Sequence, residues 1–211
     1  MFRTGYLTVA RLRGIPIRLH WSIPVGAFVF GRFQIVPGFW LGFFLLILIH
    51  ELGHAALVRR YRLSVEAVDV HGLGGLCRYS GYPSDLERAV IAWGGVLAQA
   101  LLFGVTWATL WLLGPPTTAF GADLVYAFTT GNLIIGALNL LPVPPLDGAE
   151  AWKVFGLWRA RRKRWRKKPT KQRKEPVPVV DVEEVSESVQ DALRRAAREA
   201  ARRRKRPENQ R

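Results

Sequence analysis

A chain of 211 residues has room for one core of ordinary size plus an appendage, and nothing in it repeats at a fixed period. Hydrophobic residues make up 49% and there are eight tryptophans, yet the formal charge is +15. Apolar and basic residues must therefore be segregated along the chain, and the lone cysteine, Cys77, excludes an internal disulfide and any multi-cysteine zinc site.

The segregation is by segment. From Arg159 onward there are 20 Lys/Arg against 8 Asp/Glu, a net of +12, which leaves +3 for residues 1–158. We expect residues 1–158 to form a membrane core and residues 159–211 a basic tail. Within the core the first apolar stretch, 21–33, is short and broken by Pro24, Gly26 and Gly31, so it reads as a thin crossing or a half-inserted segment. No small-residue cleavage site follows the basic lead-in, so it is not read as a cleaved signal peptide. Residues 37–58 are long enough to cross a ~30 Å hydrocarbon layer. So are residues 89–113, which end at Gly114-Pro115-Pro116, and residues 124–141, which close on a proline cluster. The expected fold class is an α-helical integral membrane protein with about four transmembrane helices.

Charge placement predicts its orientation. With the amino terminus in the cytoplasm, Arg3, Arg11, Arg13, Arg18, Arg59, Arg60, Arg62 and the tail all lie inside, and the loop 114–123 carries no Lys or Arg. This is the positive-inside pattern for both termini cytoplasmic.

Between the second and third spans, residues 65–88 mix apolar with polar residues and carry Gly72, Gly74, Gly75 and Gly81, which predicts a small β-hairpin insertion near the membrane surface. The third span should start at Ser84 or Asp85 as a cap. It contains Gly94-Gly95, read as packing positions, and Gln99. In the tail, a basic run from Arg159 to Lys174 reads as a stop-transfer segment in contact with anionic lipid, at about 1 kcal/mol per basic residue near the surface. That reading is favoured over nucleic-acid binding. A Pro/Val-rich linker follows, and then alanines at helical spacing predict a helix over about 188–205.

The chemistry lies in LILIHELGHAALVRR, residues 46–60, an otherwise lipid-soluble run. An ionised side chain at mid-bilayer costs roughly 2.5–3.5 kcal/mol on insertion scales, a cost that a metal site in a wet cavity offsets. On a helix, His50 and His54 sit one turn apart with Cβ atoms about 5–6 Å from each other, so both imidazoles can converge on one ion. Glu51 is offset around the helix, where it would reach water rather than the ion, as a general base should. The alternative is a hydrogen-bonded pair of buried histidines beside a protonated glutamate; the spacing and the apolar setting disfavour it.

A catalytic zinc takes three protein ligands and one open position. Asp147 is the candidate third ligand. It lies in NLLPVPPLDG, residues 139–148, where three prolines prevent regular helix, and such backbone is tolerated at membrane depth only when it is buried in protein or lines a cavity. His20 and His71 read as interfacial or turn histidines, since a fourth ligand would block water.

These residues resemble the site-2 protease family of intramembrane zinc metalloproteases. The likeness covers roughly residues 14–156 and rests on HELGH, on Asn139 eight residues before Asp147, and on PPLDG. It implies that His50, His54 and Asp147 hold Zn2+ and that Glu51 activates water. It further implies that Asn139 positions the substrate or stabilises the oxyanion, that single-span membrane proteins are cleaved in or near their transmembrane segments, and that the active site faces the cytoplasmic side. Where many relatives have Gly-Pro and then Asn on the third span, this chain has Gly94-Gly95-Val96 and then Gln99, so no role is carried onto Gln99. Two competing readings are a non-catalytic scaffold with a structural metal, against which an intact Glu51 argues, and a metal transporter. The transporter needs polar residues along a path to the outer face, and the outer halves of the spans offer few.

Overall fold

The structure is a computed structural model that describes residues 5–166 and 190–198. Residues up to Arg166 belong to one compact unit. It opens with strands β1 (Tyr6–Leu12) and β2 (Ile15–His20), an antiparallel pair closed by Arg13 and Gly14, both at positive φ. This is the backbone that a two-residue hairpin matched to strand twist requires. Helix α1 (Ile23–Phe30) and the long helix α2 (Pro37–Arg60) follow. The chain between α2 and the next long helix forms β3 (Ser64–His71) and β4 (Gly74–Ser80), again antiparallel. The expected hairpin is thus half of a larger sheet, because β2 pairs with β3 in parallel to give the order β1-β2-β3-β4.

Helix α3 (Asp85–Leu113) starts on a capping box in which the Ser84 hydroxyl accepts from the Glu87 N–H and the Glu87 carboxylate accepts from the Ser84 N–H. A second continuous helix, Ala119–Asn139, is built from α4 (Ala119–Tyr126), a π-helical turn (Ala127–Gly131) and α5 (Asn132–Asn139). The short α6 (Gly148–Ala151) and then α7 (Lys153–Arg166) complete the unit. Helix α7 runs without a break through the 158/159 boundary at which the tail was expected to begin. Residues 190–198 are helical and exposed, within the stretch where a tail helix was expected; the basic run beyond Arg166, the linker and the chain end lie outside the described residues.

Among the described residues three helices, where about four were expected, are long and apolar enough to cross a membrane: Pro37–Arg60, Asp85–Leu113 and Ala119–Asn139. The first apolar stretch forms only the eight-residue α1, about 12 Å long at 1.5 Å per residue. Pro24 sits in its first turn, and Arg32 and Phe33 just past its end take positive φ, so the helix cannot extend. Because β2 lies beside β3, α1 carries the chain from the sheet toward the start of α2. Gly26 abuts the backbone of Gly72, and Phe30 stacks on Phe43 with ring centroids 5.2 Å apart.

The core lies between the sheet and α2. Val70 joins Phe43, Leu46 and Ile47 in one cluster, and Val68 joins Ala55 and Val58 in another. Asp69, between the two valines and fully buried, points to the opposite face. There Arg18 grips it with two hydrogen bonds of 2.6 and 2.8 Å, and Arg78 adds an ion pair at 2.9 Å. The outward surface of α3 is apolar, with Leu97, Leu101, Val105 and Trp111 exposed, as a helix facing lipid requires.

Candidate active site

The HELGH motif occupies the fourth and fifth turns of α2, and helical spacing puts His50 and His54 on one face. Both are buried, at 4% and 6% exposure, and the edge of one ring meets the face of the other at 4.7 Å between centroids. What lets α3 come close enough to frame them is the absence of Cβ atoms. Gly53 packs on the backbone of Gly94, and a Cβ on Gly95 would collide with the His50 ring. Gly94 is a packing position, as expected; Gly95 in addition makes room for a candidate ligand.

Asp147 reaches the same point from the other side. After Asn139 the chain turns through Leu141–Leu146 on short-range bonds, including Val143 N–H to the Leu141 carbonyl (2.8 Å) and Leu146 N–H to the Val143 carbonyl (2.9 Å). Gly148 is pressed against the Leu140 and Leu141 backbone, where no side chain would fit. Two tryptophans clamp the turn. Trp152 Nε1–H donates to the Leu140 carbonyl at 2.7 Å, and Trp93 Nε1–H donates to that of Ala151 at 2.9 Å.

The result is a cluster of three donor atoms. His50 Nε2 is 2.8 Å and His54 Nε2 is 3.1 Å from Asp147 Oδ2, and the two imidazole nitrogens are 3.0 Å apart. The outer ring nitrogens are also engaged. His54 Nδ1–H donates to the Ile91 carbonyl at 2.8 Å and His50 Nδ1–H to Gln99 Oε1 at 3.0 Å, both acceptors on α3. Two Nε2 atoms and one carboxylate oxygen this close together fit a tetrahedral divalent ion with ~2.0–2.1 Å bonds after an outward shift of a few tenths of an ångström. Nitrogen and oxygen donors of this kind suit zinc. Among the described residues this is the single group of three or more His, Cys, Asp or Glu side chains so arranged.

The cluster opens into a cavity of about 650 Å³ that Glu51, Asn139 and strand β4 also line. Glu51 is buried at 4% exposure and lies against Gly75, where a Cβ would strike its carboxyl group. A glycine inside a strand signals this kind of close approach, but the sequence reading assigned Gly75 only to a turn. Asn139, at the end of α5, points its amide at His50 Nε2 from 3.5 Å. His71 lines the cavity without joining the donor cluster, and His20 Nδ1 is taken up by the Ser22 hydroxyl at 2.7 Å. The N-terminal hairpin and the two α3 acceptors escaped the sequence reading. The Arg13-Gly14 pair between two apolar runs was a usable signal for the hairpin; a backbone carbonyl acceptor such as Ile91 leaves no signal in sequence.

No family model matches the chain. Among curated proteins it is similar to Rip3 of Mycobacterium tuberculosis, named as a zinc metalloprotease, with 32% identity over 175 residues that cover 72% of this chain and 44% of Rip3. It is also similar to zinc metalloprotease MJ0392 of Methanocaldococcus jannaschii, with 26% identity over 153 residues covering 69% of this chain and 44% of that protein. The chain thus spans less than half the length of these relatives. Among solved structures, the site-2 protease from Methanocaldococcus jannaschii has the same fold, with a TM-score of 0.54 and 22% identity over 71% of each chain. With HELGH and the LDG aspartate converging in a fold shared with that enzyme, the chain belongs to the site-2 protease family.

Proposed function

We propose that this protein is an intramembrane zinc metalloprotease that hydrolyses peptide bonds in or near the transmembrane segments of single-span membrane proteins. The observation that carries this reading is the convergence of His50, His54 and Asp147 at 2.8–3.1 Å beside a buried glutamate in one open cavity. A structural metal needs no neighbouring base, so Glu51 favours an enzyme over a scaffold. Helices α2, α3 and α4–α5 cross the bilayer, and residues 21–36, with the short α1, carry the chain across before α2, which makes the number of traverses even. The N-terminal hairpin, β3–β4 and α7 face the cytoplasm, with the active site toward that side.

His50, His54 and Asp147 would hold a zinc ion, which would supply Lewis acidity to lower the pKa of water and polarise a peptide carbonyl. Glu51 accepts the proton of the attacking water as the new C–O bond forms, and then delivers it to the leaving amine as the C–N bond breaks. The Asn139 amide, 3.5 Å from His50 Nε2, donates to the oxyanion. A helical substrate hides its carbonyls in backbone bonds and must unwind. Strand β4 is a sheet edge that lines the cavity, and it receives the unwound segment as an added strand. The basic second half of α7, which begins at Arg159, contacts anionic lipid.

The test is reconstitution of the purified protein with single-span substrates, with and without a zinc chelator, and mapping of products by mass spectrometry. Glu51→Gln is expected to keep its zinc and lose cleavage by at least ~100-fold. Full proteolysis by Glu51→Gln would refute the assigned base.

A further inference from the structure

Gln99 was left without a role by the sequence, and its surroundings supply one. It is 2% exposed, in the middle of a helix whose other buried residues, Thr106 apart, are apolar. Its Oε1 faces His50 Nδ1 at 3.0 Å, while its Nε2 finds no hydrogen-bond partner among the described residues. A buried amide that satisfies only its acceptor is a poor packing residue, because an apolar side chain of the same volume would avoid the uncompensated desolvation. The backbone at this position is also pinned, since Asn132 Nδ2–H donates to the Gln99 carbonyl at 2.9 Å.

The direction of the His50 contact follows from the other side of the ring. His50 Nε2 faces Asp147 and the centre of the donor cluster, so as a metal ligand it carries no hydrogen and Nδ1 carries it. Nδ1–H then needs an acceptor, and only the oxygen of the Gln99 amide can be one. His54 is fixed in the same way by the Ile91 carbonyl. Both acceptors belong to α3, one on the main chain and one on a side chain. Resting on the zinc reading above, we propose that Gln99 is a positioning residue that holds His50 in the Nδ1–H tautomer with its ring aimed at the metal. An outer partner of this kind orients a ligand and raises its basicity, and its loss typically costs 10–100-fold in metal affinity.

The experiment uses the full-length protein in detergent, stripped of metal and titrated with zinc against a chromophoric competitor. Gln99→Met, close in volume but without an acceptor, is expected to bind zinc about 10–100-fold more weakly. Gln99→Asn, which keeps the amide one methylene short of reach, should fall in the same range and serves if the methionine variant does not fold. Gln99→Glu replaces the amide by a better acceptor and removes the orphan donor, so it should bind zinc within about threefold of the wild type or more tightly. A purely structural role predicts the opposite order, since a buried carboxylate would then be the most damaging change. Wild-type affinity in Gln99→Met, or weaker binding by Gln99→Glu than by Gln99→Met, would overturn the assignment while leaving the zinc site in place. A wild-type protein that takes up no zinc would overturn the metal reading and the role of Gln99 with it.

Discussion

Gly95→Ala places one methyl group against a candidate zinc ligand. The new Cβ would lie 2.6 Å from His50 Nδ1 and closer still to Cε1 and Nε2. Carbon contacts settle near 3.5–4.0 Å, so the imidazole must withdraw by about 1 Å. Metal–ligand bonds hold to about ±0.2 Å, and His50 is already engaged on both ring nitrogens by Gln99 and Asp147. The withdrawal therefore exceeds what ligation tolerates, and zinc affinity should fall by at least the ~10–100-fold typical of outer-partner changes. Overpacking should cost a further 1–3 kcal/mol or so of stability, against a helix-propensity gain of about 1 kcal/mol. Gly104 on the same helix is the matched control, because nothing lies within 4 Å of a Cβ there. Gly104→Ala should keep full zinc affinity and gain up to about 1 kcal/mol. Zinc content by mass spectrometry and a competition titration on both variants decide the matter. Equal affinity in the two alanine variants would show that Gly95 does not set the space around His50.

Two further outcomes follow from the sheet. Asp69→Asn removes the buried carboxylate that two arginines share, and breaking a buried ion pair on one side costs roughly 3–5 kcal/mol; a thermal midpoint in detergent within 2 °C or so of the wild type would contradict it. Burial, with the charges of Glu51 and Asp69 adding to it, pushes the Cys77 thiol up to about 12. The shift is upward, so the thiol stays neutral through physiological pH; at pH 8 about one molecule in ten thousand is a thiolate. Maleimide labelling should thus be very slow in the folded protein and rapid in denaturant, and fast labelling of the native state would place Cys77 at an open surface instead.

The parts of the site that were legible in sequence are those whose chemistry conflicts with their surroundings. Two histidines and a glutamate in an apolar helix, and an aspartate after three prolines, each demand a reason, and helical spacing supplies one for the pair. The three long helices were legible for the same cause, since lipid leaves only one economical state to a long apolar run. The first apolar stretch was expected to be short and broken, and it forms only the eight-residue α1; hydropathy is blind to the left-handed turn at Arg32 and Phe33 that ends it. The N-terminal hairpin was passed over as a basic lead-in, although its turn residues stood in the sequence. Gly75 and Gly95 stood out only as glycines, and their partners, Glu51 and His50, lie 24 and 45 positions away.

Sequence alone singled out the candidate side chains and the helix that holds the first two of them, because that information is local: a residue type, a spacing of four, a run of apolar neighbours. Tertiary structure alone decided that Asp147 meets those histidines, that Glu51 rests on a sheet edge and that α3 offers an acceptor to each ring. These are contacts between segments distant in the chain. They depend on how closely two backbones approach, a distance that the missing Cβ atoms of Gly53, Gly94 and Gly95 allow and that no periodicity in the sequence records.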